Sequence, residues 1–145
     1  MIAAELLIGS GLCGFLDRIL AEHENTDVVV TRIAGRTYAT VGELGFSLVS
    51  EDGVSIDVVQ LHGDGSGYGA IALTLPWGLC MHDSREVAQS KLGLPTQSGG
   101  EAHHPVTGHE MRAWGAYTVR GYRCHLEYHP NDAGIALLSI EAASS

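Results

Sequence analysis

The sequence predicts an α+β fold: an antiparallel sheet with helices packed on one face, built from two similar helix-plus-hairpin halves. Three observations lead there. Two helix-spaced segments each precede a series of strand-like runs, and tight-turn residues rather than crossover helices part those runs. Glycine, at 19 of 145 residues against 4 prolines, is used about twice as often as usual, as many tight turns require. Antiparallel strands with helices gathered on one face are the layered arrangement that this order permits. The length suits a single domain over residues 1–145, divisible into halves 1–69 and 70–145.

Each element has its own signal. Leu12, Phe15, Leu16, Ile19 and Leu20 stand at helical spacing and predict a helix over 12–22, with Ser10 as its cap. Strand-like runs follow at Asp27–Ile33, Arg36–Val41, Leu44–Ser50 and Val54–Leu61. Their breaks are Ala34-Gly35, Gly42-Glu43 and Glu51-Asp52-Gly53, the last a strong hairpin signal. Four glycines within His62–Gly69 predict a flexible surface loop between the halves. Asp83 or Ser84 then caps a second helix that has Glu86 in its first turn, turns Val87 and Leu92 inward and stops at Gly93, before Pro95. Residues 96–110 read as an irregular loop rich in Gly, His, Ser and Pro. Strands at Ala113–Val119, Tyr122–His129 and Ile135–Ala142 close the chain, with Pro130–Gly134 as the last turn. The hairpin over 44–60 matches the one over 122–141 in apolar alternation and in its place after one helix and an earlier strand, which argues for an internal repeat.

Charge limits the partners. Seventeen acids against eight bases give −9, which argues against gripping nucleic acid or an anionic membrane. Residues 1–70 hold ten acids and three bases, residues 71–145 seven acids and five bases, so the first half carries most of the charge. An acidic face that meets a basic partner is the functional reading; solubility is the plain one. Apolar Met1–Ile8 lacks a preceding Lys or Arg, is interrupted by Glu5 and precedes no small-x-small cleavage site. Leucine, not Gly or Ala, stands before Cys13, and no apolar run approaches the ~20 residues of a membrane span. The expected compartment is the cytosol. Cys13, Cys80 and Cys124 are odd in number and without Cys-x-x-Cys spacing, suggesting neither a disulfide framework nor a zinc ribbon.

Several motifs could carry chemistry. Gly9-Ser-Gly11-Leu-Cys-Gly14 matches Gly-x-Gly-x-x-Gly between the apolar run Leu6–Ile8 and a helix, the order of a dinucleotide-binding βαβ unit. Against that rival reading, Thr31 and Arg32 stand where a ribose-binding acid belongs, and hairpins follow instead of further βαβ units. His103, His104 and His109 share a loop and His125 and His129 a strand region, without the spacing of a zinc site, so no metal is expected. No Gly-x-Ser-x-Gly elbow or carboxylate pair stands out, Cys80 and His82 have no established catalytic spacing, and neither an enzyme nor a cofactor is expected. Trp77, Trp114, Tyr117, Tyr122 and Tyr128 are either core or part of a binding surface. Tyr68, in the glycine-rich loop, is the aromatic expected to be exposed.

Leu75-Pro-Trp-Gly-Leu79, Asp83-Ser-Arg-Glu-Val87 with Leu92-Gly-Leu-Pro95, Trp114-Gly-Ala-Tyr117 and Gly121-Tyr-Arg-Cys-His-Leu-Glu-Tyr128 together resemble small bacterial immunity proteins encoded beside polymorphic or secreted toxins. Gly35-Arg-Thr-Tyr38 and Glu43–Gly53 extend the resemblance over most of residues 30–142. The core is also similar to the folds of outer-membrane assembly lipoproteins and of the β-lactamase inhibitor protein, often doubled modules whose sheet face binds another protein. The resemblance implies an immunity protein that occludes a cognate cytosolic toxin, a nuclease for preference, by stoichiometric binding. An envelope-assembly module is a third reading. Charge and loop exposure point to Glu51, Asp52, Asp57, Asp64 and Tyr68 as the partner-binding surface.

Overall fold

The computed structural model describes residues 2–63, 67–100, 102–103 and 110–143. A short 3-10 turn, Ala4–Leu7, precedes α1 (Leu12–Glu22). Four strands follow: β1 (Val29–Ile33), β2 (Arg36–Val41), β3 (Phe46–Ser50) and β4 (Val58–His62). After α2 (Arg85–Leu92) come β5 (Gln97–Gly99), β6 (Ala102–His103), β7 (Glu110–Met111), β8 (Trp114–Val119), β9 (Tyr122–Tyr128) and β10 (Ile135–Ala142). Among the described residues, β6 and β7 pair only with each other. The other eight strands form one sheet in the order β1-β2-β3-β4-β10-β9-β8-β5, with every neighbouring pair antiparallel.

That order is palindromic. Each half lays one helix and then contributes four strands to this sheet outward-in, and the halves meet where β4 pairs with β10. The hairpin β3–β4 in one half corresponds to β9–β10 in the other, as the internal repeat requires. Matching turns recur as well: Ala34-Gly35 joins β1 to β2 and Arg120-Gly121 joins β8 to β9, and all four residues have positive φ between 50° and 85°. Two successive left-handed residues match the twist of a two-residue hairpin.

Both helices lie on one face. Phe15 of α1 meets Phe46 of β3 at 6.0 Å between ring centroids, and the Arg85 guanidinium of α2 sits 5.5 Å from the Tyr128 ring centroid of β9. Beneath them runs the apolar row Val30–Ala39–Leu48–Val59–Ile140–Cys124–Tyr117, cross-strand neighbours over seven strands. All but Val30 are buried. One step along each strand, the opposite face presents Val29–Thr40–Ser47–Gln60–Ser139–His125–Ala116–Gln97, a row that crosses all eight strands. The alternation of period two thus separates a core face from an open face.

The structure corrects several local expectations. Ser10 does not cap α1: its hydroxyl donates to Leu6 O, and Gly11 holds the cap position. The fourth strand begins at Val58 rather than Val54, because Val54–Ile56 pair with the approach to α1 through Leu12 N–H to Val54 O, Gly9 N–H to Ile56 O and Ile56 N–H to Ser10 O. Residues 96–110, expected to be irregular, contain β5, which finds its partner in β8. Val87 points outward at 41% exposure and Ala88 takes the inward position. Ser84 does cap α2, accepting from Val87 N–H at 3.3 Å.

The Leu75–Pro95 motif is explained by local scaffolding. Trp77 and Gly78 both adopt positive φ, 53° and 77°, a costly conformation for tryptophan. Lys91 Nζ secures the turn by donating to Gly78 O at 2.9 Å and to Asp83 Oδ2 at 2.7 Å, and the same carboxylate oxygen accepts from Cys80 N–H. Trp77 then packs on Tyr122 of β9. These residues fasten α2 and its approach to the sheet.

Candidate functional site

Among the described residues no helix lies on the open face of the sheet, and its side chains are chemically unlike those of the core face. The eight-strand row above is polar over most of its length. A neighbouring open-face row runs Thr31–Tyr38–Val49–Val58–Glu141–Arg123–Thr118, and another runs His62–Leu137–Glu127–Trp114–Gly99. Hydroxyls, amides, imidazoles and aromatic rings share this surface, a mixture suited to adaptable hydrogen bonding around a few rigid anchors.

Two aromatic clusters stand out. In the first half, Tyr68 stacks on His62 of β4, with ring centroids 3.7 Å apart and planes 14° from parallel. Ser47 Oγ lies 2.9 Å from His62 Nε2 and 3.4 Å from Tyr68 Oη. Burial pushes the His62 imidazole below its ordinary range, because desolvation disfavours the charged ring. Gly69 permits a close backbone approach: a β-carbon there would collide with the Glu43 carbonyl. In the second half, Trp114 stacks on His125 at 5.4 Å and 20°. They border a shallow groove of about 710 Å³ with Thr96, Gln97, Ala116, Thr118 and Arg123. Gly99 lies beneath the Trp114 indole, where any side chain would displace the ring.

The surface expected from charge is divided. Glu51, Asp52 and Asp57 gather at the far end of β3, about 13 Å along the strand from Ser47 and Tyr68 at the 3.3 Å rise of a strand. Asp52 Oδ1 accepts from Val54 N–H at 2.8 Å, Ser55 N–H at 2.9 Å and Ser50 Oγ–H at 3.1 Å. The Ser55 and Val54 amides hold its carboxyl below the usual carboxylate range. Asp57 Oδ2 accepts from Glu51 N–H, and Glu51 forms an ion pair with Arg36 at 3.0 Å. These acids build the β3–β4 connection. Asp64 lies outside the described residues, as do His104 and His109.

Of the five aromatics weighed as core or surface, Tyr117 and Tyr128 are buried and share a hydroxyl–hydroxyl bond of 3.1 Å, whereas Trp114 lies on the open face. His62, Ser47, Gln60, Ser139 and His125 were not anticipated as site residues. Their signal is present in the sequence as polar residues at alternate strand positions, but it becomes a surface only once the register aligns them. His125 stands in the middle of β9.

Around Gly9–Gly14 no βαβ unit forms. The segment before α1 is a 3-10 turn rather than a strand, and the amides of Gly9 and Leu12 at the helix approach are bonded to Ile56 O and Val54 O. Among the described residues, no group of three or more His, Cys, Asp or Glu is placed to hold a metal ion, and no helix is long and apolar enough to cross a membrane.

No family model and no curated protein matches the chain. Among solved structures, a cysteine-rich secretory protein of Staphylococcus aureus superposes with a TM-score of 0.51 at 9% identity over 94% of this chain. The chain spans 44% of that protein's length. A DUF4309 family protein of Bacillus subtilis gives a TM-score of 0.48 at 17% identity, covering 94% of this chain and 81% of that one. The first likeness is one of fold. Neither protein is described as an immunity protein, so that reading rests on the sequence resemblance and on the chemistry of the open face.

Proposed function

We propose that this chain is a binding protein of the immunity type, which holds a cognate bacterial toxin against the open face of its doubled sheet and occludes the toxin's active site. One observation carries the reading: a continuous row from Val29 to Gln97 crosses all eight strands with no helix over it among the described residues, with the Tyr68–His62 and Trp114–His125 stacks on either side of the β4–β10 seam. A face of this width can engage a folded protein, and stacked aromatics supply rigid anchors at little entropic cost.

Charge supports a basic partner. With −9 overall, the chain would attract a cationic nuclease and hasten encounter through complementary potentials. The two arginines on the open side of β2 and β9, Arg36 and Arg123, are ion-paired with Glu51 and Glu141, which tempers local positive charge. Neutralisation by stoichiometric binding requires no catalytic group, and such a protein would work in the cytoplasm of the toxin-producing cell. Co-expression with the product of the adjacent gene tests the reading. A stable one-to-one complex and rescue of growth are expected; no complex and no rescue would overturn it.

A further inference from the structure

The two edges of the sheet are unlike. β5, the outer strand of the second half, is three residues long and reads Gln97-Ser98-Gly99, a short polar edge of the kind that discourages pairing. β1, the outer strand of the first half, is five residues of Val-Val-Thr-Arg-Ile, and all five are exposed. Val29, Val30 and Ile33 are 60%, 56% and 58% exposed. Because β2 occupies only one side of β1, the other side presents main-chain groups that no described strand pairs, beside exposed β-branched side chains. An edge of this composition is a template for a further strand.

We infer that the occupant is a second copy of this chain, joined β1 to β1 about a two-fold axis through Thr31. The residue pattern is self-complementary in that register. On the open face, Val29 of each copy stands opposite Ile33 of the other, with Thr31 against Thr31 between them. On the core face, Val30 stands opposite the alkyl stem of Arg32. Pairs of β-branched residues directly across a ladder stabilise it, and isologous pairing closes after two copies. The two-fold keeps both open faces on the same side, so the two eight-stranded sheets continue into one.

Five residues a side fall well short of the 20–30 a side of a standard interface. The dimer is therefore weak and reversible, populated at high concentration. It does not depend on the toxin-binding reading, and either can fail without the other.

Sedimentation velocity on the full chain, from about 10 μM to about 1 mM, a range that brackets weak affinities, tests the inference. The weight-average mass is expected to rise from 15.3 kDa toward twice that value, and the Ile33→Lys variant, altered at an exposed position, is expected to remain monomeric throughout. Amide exchange read at both ends of the range should slow several-fold across Val29–Ile33 at high concentration, with no change across Gln97–Gly99. A wild-type chain that stays monomeric, an Ile33→Lys variant that associates equally well, or concentration-independent exchange at β1 would each overturn it. The first of these outcomes would leave β1 bare or available to a strand of another protein.

Discussion

The imidazole of His62 and the phenol ring of Tyr68 lie 3.7 Å apart and nearly parallel on the open face. Tyr68 stacks on a histidine that is already bonded to Ser47, and this cover shields the ring in part. Burial lowers the folded-state pKa beneath the ordinary 6.5, so the unfolded chain takes up the proton more readily than the folded one. Stability contributed by this site is complete above pH 6.5 and declines as the pH falls from there toward the depressed folded value. A His62→Gln variant should show a shallower loss of stability on acidification to pH 5. In NMR titration, the His62 midpoint should lie below 6.5 and move up toward it in Tyr68→Ala.

Asp83 receives Cys80 N–H and Lys91 Nζ on one oxygen while only 9% exposed. Asp83→Ala leaves an amide and an ammonium short of an acceptor and should cost about 2 kcal/mol in chemical denaturation. Lys91→Met should cost less, since that ammonium is partly solvated. The two changes should be less than additive, because both break one bond.

The three cysteines should separate by reactivity. Cys13 and Cys80 are exposed, whereas Cys124 is buried in the apolar row and its thiol is pushed up to about 12 by burial. A thiol-reactive reagent at pH 8 should modify the first two in the native protein and the third only after denaturation, as read by peptide mass spectrometry. Rapid native labelling of Cys124 would contradict its placement on the buried face of β9.

Gly14 is a glycine within a helix, and a β-carbon there meets nothing within 4 Å. Gly14→Ala should therefore stabilise the protein by about 0.5–1 kcal/mol, the ordinary helix preference. Gly69→Ala should have the opposite effect, because the new methyl would strike the Glu43 carbonyl. Thermal melts of the two variants check both signs.

Much of the fold was legible because its signals are local. Five apolar residues at helical spacing predict α1 to the residue, and Gly93 with Pro95 predicts the end of α2. What escaped depends on distant partners. β5 has no β-branched residue and exists because β8 lies beside it; Val54–Ile56 resemble a strand but are drawn off by the backbone before α1. Ser10 has the chemistry of a cap, yet the 3-10 turn ahead of it offers Leu6 O first. The site was less legible than the fold. Acidic residues at a turn suggest a docking surface, but Asp52 and Asp57 are engaged by backbone amides of their own connection. The open-face polar row is spread over eight short segments, and only strand register brings Ser47, Gln60, Ser139 and His125 side by side.

The central claim is that the open face is the binding surface, and calorimetric titration of the adjacent gene's product into variants of this protein tests it most directly. Trp114→Ala and Gln60→Arg, at the second-half stack and the centre of the row, should each weaken the complex at least tenfold, about 1.4 kcal/mol. Leu94→Ala, at an exposed position just after α2, should leave affinity unchanged. Equal affinity in all three variants, or tight binding abolished only by Leu94→Ala, would contradict the assignment.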